Sequence, residues 1–306
     1  MSAPAILDPR AAWLARRREL VTASDAASIL GAGRRSPFAV WAEKVGEIET
    51  EDNVDMARGQ RFEGVIADEY ALQTGRPVFT PADEHEITIH PDLPWLGATL
   101  DRRTLDPTMP AARGEGPLQI KMAIGSARDW KDEPPLGYLV QVQIESACSR
   151  SLWGALAALV GPGPLKVVDL ERDDAFLRVA IPRLEEFHWR VVNRRPPEAD
   201  GSASTTAALK ALYGAEDGGT VELDAAALAD VEAWEAHDIL VQAEAEQAEA
   251  ARNRLRARLG GASFGRLPDG TFLSLNVTKR RGYTPAPVAP TTYRTLRRVF
   301  PRMKGR

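Results

Sequence analysis

Cysteine is all but missing from this chain of 306 residues: Cys148 stands alone. It can form neither an intramolecular disulfide nor a multi-cysteine zinc site. Long apolar runs are missing too, and nothing approaches the roughly 20 residues that cross a bilayer as a helix. The opening MSAPAILDPR has no basic region leading into an apolar one, which predicts no secretory signal and a reducing cytoplasm. No internal repeat is evident. Acids, plentiful elsewhere, are absent from residues 279–306, which hold nine Lys or Arg; the preceding 278 residues therefore carry −13 against −4 for the whole chain. An acidic body of this kind confines its positive potential to a channel or a tail, as a nucleic-acid-binding protein must. A solvated tail that balances the acidic body is the equally simple reading.

What remains is ordinary globular composition, 44% hydrophobic and 27% charged, enough for one large domain with an appendage. Residues 11–33 read as a helical or extended lead into Thr22-Ala23-Ser24-Asp25, a cluster of capping residues before a helix at 26–30. Residues 36–49 suggest a short amphipathic helix, and 55–73 a longer one with Met56, Phe62, Val65, Ile66, Tyr70 and Leu72 available to a core. Residues 78–90 read as one strand or a pair. A helix opens at 136, two strands are expected at 166–170 and 176–180, and a helix at 181–193 closes the core. The Pro/Gly/Ser/Thr-rich stretch from Arg195 marks the boundary. The expected division is a core at 1–195, a linker at 196–222, and an appendage at 223–306. That appendage holds a long helix from Asp224 to Leu259, a hairpin turning at Pro268-Asp269-Gly270, and the basic tail.

The chemistry gathers between Trp95 and Met122. Asp101 lies near the end of an extended run, and 117–122 is a compact strand whose period of two sends Gln119 and Lys121 to one face. Two adjacent strands can thus bring Asp101, Gln119 and Lys121 together, the layout of a divalent-metal nuclease site with one neutral member. Taken alone, the same pattern describes ordinary strand surface. Glu63 shares a helix face with Gly59, and Tyr138, Gln141 and Glu145 line one side of their helix. Each has a plain surface alternative. Arg17 beside the Thr22–Ser24 helix start suits a phosphate, or is a solvated arginine near an ordinary cap.

Taken in order, Trp13…Arg17…Thr22-Ala23-Ser24, Gly59…Glu63, Pro94-Trp95-Leu96-Gly97-Ala98…Asp101, Leu118-Gln119-Ile120-Lys121 and Tyr138-Leu139-Val140-Gln141-Val142-Gln143 resemble the YqaJ-type viral recombinase family. That family is grouped with bacteriophage lambda exonuclease among the PD-(D/E)XK nucleases. The resemblance covers residues 13 to about 195. It implies an α/β (α+β) fold, a restriction-endonuclease-like mixed sheet flanked by helices. It further implies a deoxyribonuclease, a Mg²⁺-dependent 5′-to-3′ exonuclease on linear double-stranded DNA, with Mn²⁺ as a substitute. The 3′ single-stranded overhangs would feed phage-type homologous recombination through a single-strand annealing protein. The setting is a bacterial host cytoplasm and a phage or prophage origin, with no membrane and a homo-oligomer, a ring trimer as in the lambda relative.

By the same resemblance Asp101, Gln119, Lys121 and Glu63 are catalytic, and Asp101, Gln119, Glu63 and the Ile120 carbonyl hold metal. Arg17, Thr22, Ser24, Arg128, Tyr138 and Gln141 contact DNA or its 5′-phosphate. The departure is Gln119, where this family usually has Glu. An amide still offers a carbonyl oxygen but brings no charge. It is either a natural variant or a deliberate Glu-to-Gln substitution, and the alternative function is a cleavage-impaired DNA-end binding protein of the same fold.

Overall fold

A computed structural model of the chain describes residues 8–49, 54–83, 85–109, 113–123, 129–130, 133–161, 163–216, 218–279 and 294–298. Two compact units divide at Tyr213 and Gly214. The first begins with α1 (Pro9–Glu19), β1 (Val21–Thr22), α2 (Ala23–Ile29), α3 (Pro37–Lys44) and α4 (Val54–Thr74). Four strands follow, β2 (Val78–Phe79), β3 (Thr88–Ile89), β4 (Leu96–Ala98) and β5 (Arg102–Leu105). Then come β6 (Glu115–Met122), α5 (Leu136–Cys148), β7 (Trp153–Leu159), β8 (Lys166–Glu171), α6 (Asp174–Val192) and α7 (Ala203–Leu212). The second unit holds α8 (Ala225–Leu259) and the antiparallel hairpin β9 (Phe264–Arg266) and β10 (Phe272–Ser274).

The main sheet runs β2-β5-β6-β7-β8, with β6 and β7 parallel and the other neighbours antiparallel. A mixed sheet between helices is the expected α/β class. β6 and β7 are covered on both faces. Leu118, Ile120, Trp153, Ala155 and Ala157 pack with Ile66, Ala67 and Tyr70 of α4. Leu156 and Ala158 pack on the other face with Val142 and Tyr138 of α5. A strand buried on both sides reads as a continuous apolar run without alternation, and so WGALAAL carries no strand signature. β7, the main partner of the site strand, is invisible for that reason. A smaller sheet, β1-β4-β3, joins α2, α5 and α6 in the largest core.

Two glycines seat α5. A Cβ at Gly154 would come within 2.6 Å of Val142 Cγ1, and one at Gly137 within 2.8 Å of the Ala32 carbonyl oxygen. Larger residues there would lift the helix that roofs the site.

The expected strand at 176–180 is a correction: it lies inside α6. Pro182 made the helix look as if it began at 181. Instead Asp173 caps it, accepting from the Ala175 and Phe176 amides at 2.8 and 2.9 Å. Leu177, Ala180, Leu184 and Phe187 then bury one face across the proline at helical spacing, which outweighs the backbone bond that Pro182 cannot make. α2 likewise starts three residues before the expected 26, directly after β1. The 196–222 linker contains α7, whose Ala208 packs with Phe38 and Ala39 of α3. Only Ile66 and Tyr70 of the expected apolar face of α4 are buried; Phe62, Val65 and Leu72 are exposed, and the side chain of Met56 lies outside the described residues.

The long helix and the hairpin stand as read, with Gly270 at φ 86° in the turn. The basic tail lies outside the described residues, apart from Lys279 and residues 294–298. Among the described residues no helix is long and apolar enough to cross a membrane.

Candidate active site

The antiparallel register of β5 on β6 sets Arg102 opposite Leu118, so one step further Asp101 faces Gln119. Asp101 Oδ2 accepts the Ile120 amide at 2.8 Å and the Gln119 side-chain amide. A carboxylate only accepts, so Gln119 must turn its NH₂ toward it. That nitrogen also lies 3.4 Å from the Ile120 carbonyl oxygen, while Gln119 Oε1 accepts from Gln141. Gln141 Nε2 in turn donates to Glu145 Oε1 at 2.9 Å. One chain of contacts therefore runs Asp101–Gln119–Gln141–Glu145 from the strands into α5. Gln119 and Glu145 are each 1% exposed.

Lys121 lies on the same strand face as Gln119, with its ammonium 5.4 Å from the Tyr138 ring centroid; Tyr138 stacks on Trp130 at 5.6 Å. Tyr138 thus faces the lysine. Glu63, one helical turn before Ala67 on α4, pairs with Arg102, whose guanidinium also reaches the Asp101 carbonyl. Burial raises the Glu63 carboxyl above its usual range, and the charge of Asp101 adds to the shift; Arg102 and Lys121 oppose it. Burial raises Asp101 as well, against Lys121, the Ile120 amide, Arg102 and Gln119. Glu145 is pushed up to about 8 by burial and by Asp101, with Lys121 and Gln141 opposing. The sequence placed Glu145 with Tyr138 and Gln141 on one side of the helix, as polar groups that could orient the site or be mere helix surface. Its signal was the four-residue spacing from Gln141; its burial is set by tertiary packing.

A second cluster forms where α1 meets α2. Arg17 lies over the Trp13 ring at 4.6 Å and donates to Ser24 Oγ at 3.0 Å, and the Thr22 and Ser24 hydroxyls are 2.9 Å apart. Behind them Asp25 accepts from the Thr22 amide and hydroxyl and pairs with Lys44 at 2.6 Å and Arg35 at 3.2 Å. Burial would raise Asp25, but Lys44, Thr22 and Arg17 more than offset it and bring it down to about 2. Lys44 gave no sequence signal, since a lysine closing an amphipathic helix looks solvated. Among the described residues no hydrogen bond joins the two clusters. Arg128 lies outside the described residues.

Asp101, Glu63 and the Ile120 carbonyl are hard oxygen donors, suited to Mg²⁺, which keeps several waters and takes one or two carboxylates. Among the described residues no three carboxylate, imidazole or thiol groups gather closely enough to enclose a cation. Gln119 fits as a ligand only if its amide turns, since its nitrogen now lies against the two oxygens a cation would share. Cys148 is buried, and burial raises its thiol to about 12, which removes it as a nucleophile.

Fold and site together define an α/β protein with one polar centre built across paired central strands and roofed by a helix. The chain is similar to the YqaJ-like viral recombinase domain: that family's model matches residues 12–151, the span holding every site residue named above. The uncharacterized protein YqaJ of Bacillus subtilis strain 168 is 26% identical over 266 residues, 83% of this chain and 79% of that one. The alkaline exonuclease LHK-Exo of Laribacter hongkongensis is 24% identical with a TM-score of 0.48, over 60% of this chain and 93% of that one. A phage-related exonuclease of Haemophilus somnus 129PT is 13% identical with a TM-score of 0.43, over 57% and 96%.

Proposed function

We propose that the chain is a deoxyribonuclease, a Mg²⁺-dependent 5′-to-3′ exonuclease on linear double-stranded DNA. Its 3′ single-stranded overhangs are the substrate of a phage-type annealing protein, and the working form is a homo-oligomeric ring in the cytoplasm of the host. The observation that carries this reading is the meeting of Asp101, Gln119 and Lys121 on two paired strands within a span similar to the YqaJ-like viral recombinase domain.

A bound divalent cation supplies a nucleophilic water near neutral pH and neutralises charge at the phosphate. Asp101 and the Ile120 carbonyl would hold it, with Glu63 and a turned Gln119 completing the protein's share. Lys121 orients the attacking water and favours its deprotonated form. Arg17, Thr22 and Ser24 offer a guanidinium and two hydroxyls to the terminal 5′-phosphate, where charge-assisted bonds are strongest. Gln141 holds Gln119 in place.

One observation favours a second reading, a DNA-end binding protein that cleaves poorly. The Gln119 NH₂ donates to Asp101, so this side chain meets the carboxylate as a hydrogen-bond donor and brings no charge of its own. Incubation with linear duplex in Mg²⁺ and in chelator separates the two. The exonuclease reading expects Mg²⁺-dependent loss of 5′-terminal nucleotides, abolished in Lys121→Ala with duplex binding retained. Binding without any degradation supports the second reading, and undiminished cleavage in Lys121→Ala removes the lysine from the mechanism.

A further inference from the structure

Glu145 is a buried acid with no ion pair among the described residues, and its side chain accepts a hydrogen bond from the neutral amide of Gln141. Burying an acid without a counter-charge is costly and keeps it protonated until a positive charge comes near, and answering such a charge is a use it can have. Its surroundings say what the use is. The chain of contacts through Gln141 ends on Gln119, the uncharged member of the strand pair. Lys121 is the common positive neighbour of Glu63, Asp101 and Glu145, so all three acids belong to one electrostatic centre. Among the described residues no three such acids gather closely enough to enclose a cation together. Glu145 can act on one only at a remove.

We propose that Glu145 is a positioning residue that supplies, from α5 and through Gln141, the negative charge that Gln119 does not bring to the strand. The site thereby keeps three acids, one of them moved from β6 to the roof helix. This rests on the divalent-cation reading above. The two positions are then interchangeable in charge: a carboxylate lost at 145 is replaced by one gained at 119. A buried acid that merely survives in the core has no such exchange.

The test is calorimetric titration of Mn²⁺ into the full chain, with a thermal melt of each variant as a check on folding. Glu145→Gln, which keeps the shape and removes the charge, lowers Mn²⁺ affinity by about tenfold or more, the scale on which groups behind metal ligands act. Glu145→Met, a second neutral replacement, does the same, and Glu145→Asp keeps most of the affinity. The double variant Gln119→Glu with Glu145→Gln returns to within about threefold of the unmodified chain. Unchanged affinity in folded Glu145→Gln overturns the proposal and leaves the cation reading standing. So does a loss that the double variant fails to recover. Absence of Mn²⁺ binding both in the unmodified chain and in Gln119→Glu overturns the cation reading and the proposal with it.

Discussion

Two of the buried acids within this one domain, Asp25 and Glu145, are treated in opposite ways. Asp25 is surrounded by Lys44, Arg35 and Thr22, and its carboxyl is brought down to about 2. Glu145 has only Gln141 and a distant Lys121, and burial takes it up to about 8. The first acid is complete without a ligand: it ties the start of α2 to the end of α3 and so fixes the wall that carries Thr22 and Ser24. The second is left unpaired beside the strands that carry Asp101, Gln119 and Lys121. An acid ionised and neutralised inside the protein serves the fold, and one that burial keeps protonated can ionise when something positive arrives from outside.

The largest expected effect on this contrast is on stability. Lys44→Met leaves Asp25 as a buried, partly unpaired charge and costs about 3–5 kcal/mol in denaturant unfolding. Glu145→Gln removes no ion pair and should cost nothing, or stabilise. Equal losses in the two variants would erase the distinction between the acids.

Acid and alkali should separate them next. Asp25 has a folded value below its unfolded 3.8, so its contribution is present above that pH and disappears as pH falls toward 2. Glu145 has a folded value above its unfolded 4.5, so the folded state binds the extra proton and stability declines as pH rises from about 4.5 to about 8. Urea midpoints across that range should flatten in Glu145→Gln and keep their acid limb. A decline that persists unchanged in the variant assigns it to other groups.

The smallest effect belongs to end recognition. Arg17 acts on Asp25 only by its charge, and its guanidinium lies over Trp13 and donates to Ser24, a hydroxyl that a phosphate could replace. Arg17→Ala should reduce the preference for 5′-phosphorylated over 5′-hydroxyl duplex several-fold, the value of roughly one charge-assisted hydrogen bond. A preference that survives intact places the phosphate elsewhere.

The candidate site was more legible than the frame that holds it. Period-two spacing put Gln119 and Lys121 on one face, and a turn-punctuated stretch put Asp101 on a neighbouring strand, because antiparallel pairing at short range is written in local pattern. β7 was not legible, since a strand buried on both faces has no alternation. The 176–180 stretch was misread because proline punctuates sequences whether it starts a helix or sits inside one. Lys44 and Glu145 show a deeper limit. Both look like surface charges on amphipathic helices, and only tertiary packing buries them, one against Asp25 and the other under Gln141.

In the proposed function, Asp101, Gln119 and Lys121 form a hydrolytic centre short of one charge on the strand. The most direct measurement is the rate of Mg²⁺-dependent degradation of 5′-phosphorylated linear duplex by the unmodified chain and by Gln119→Glu. The added carboxylate beside Asp101 should raise that rate by at least about tenfold, the scale of metal-site changes, and Lys121→Ala should abolish the gain. Equal rates in the two forms would mean that the amide is a fully competent member of the site, and no degradation by either would contradict the claim outright.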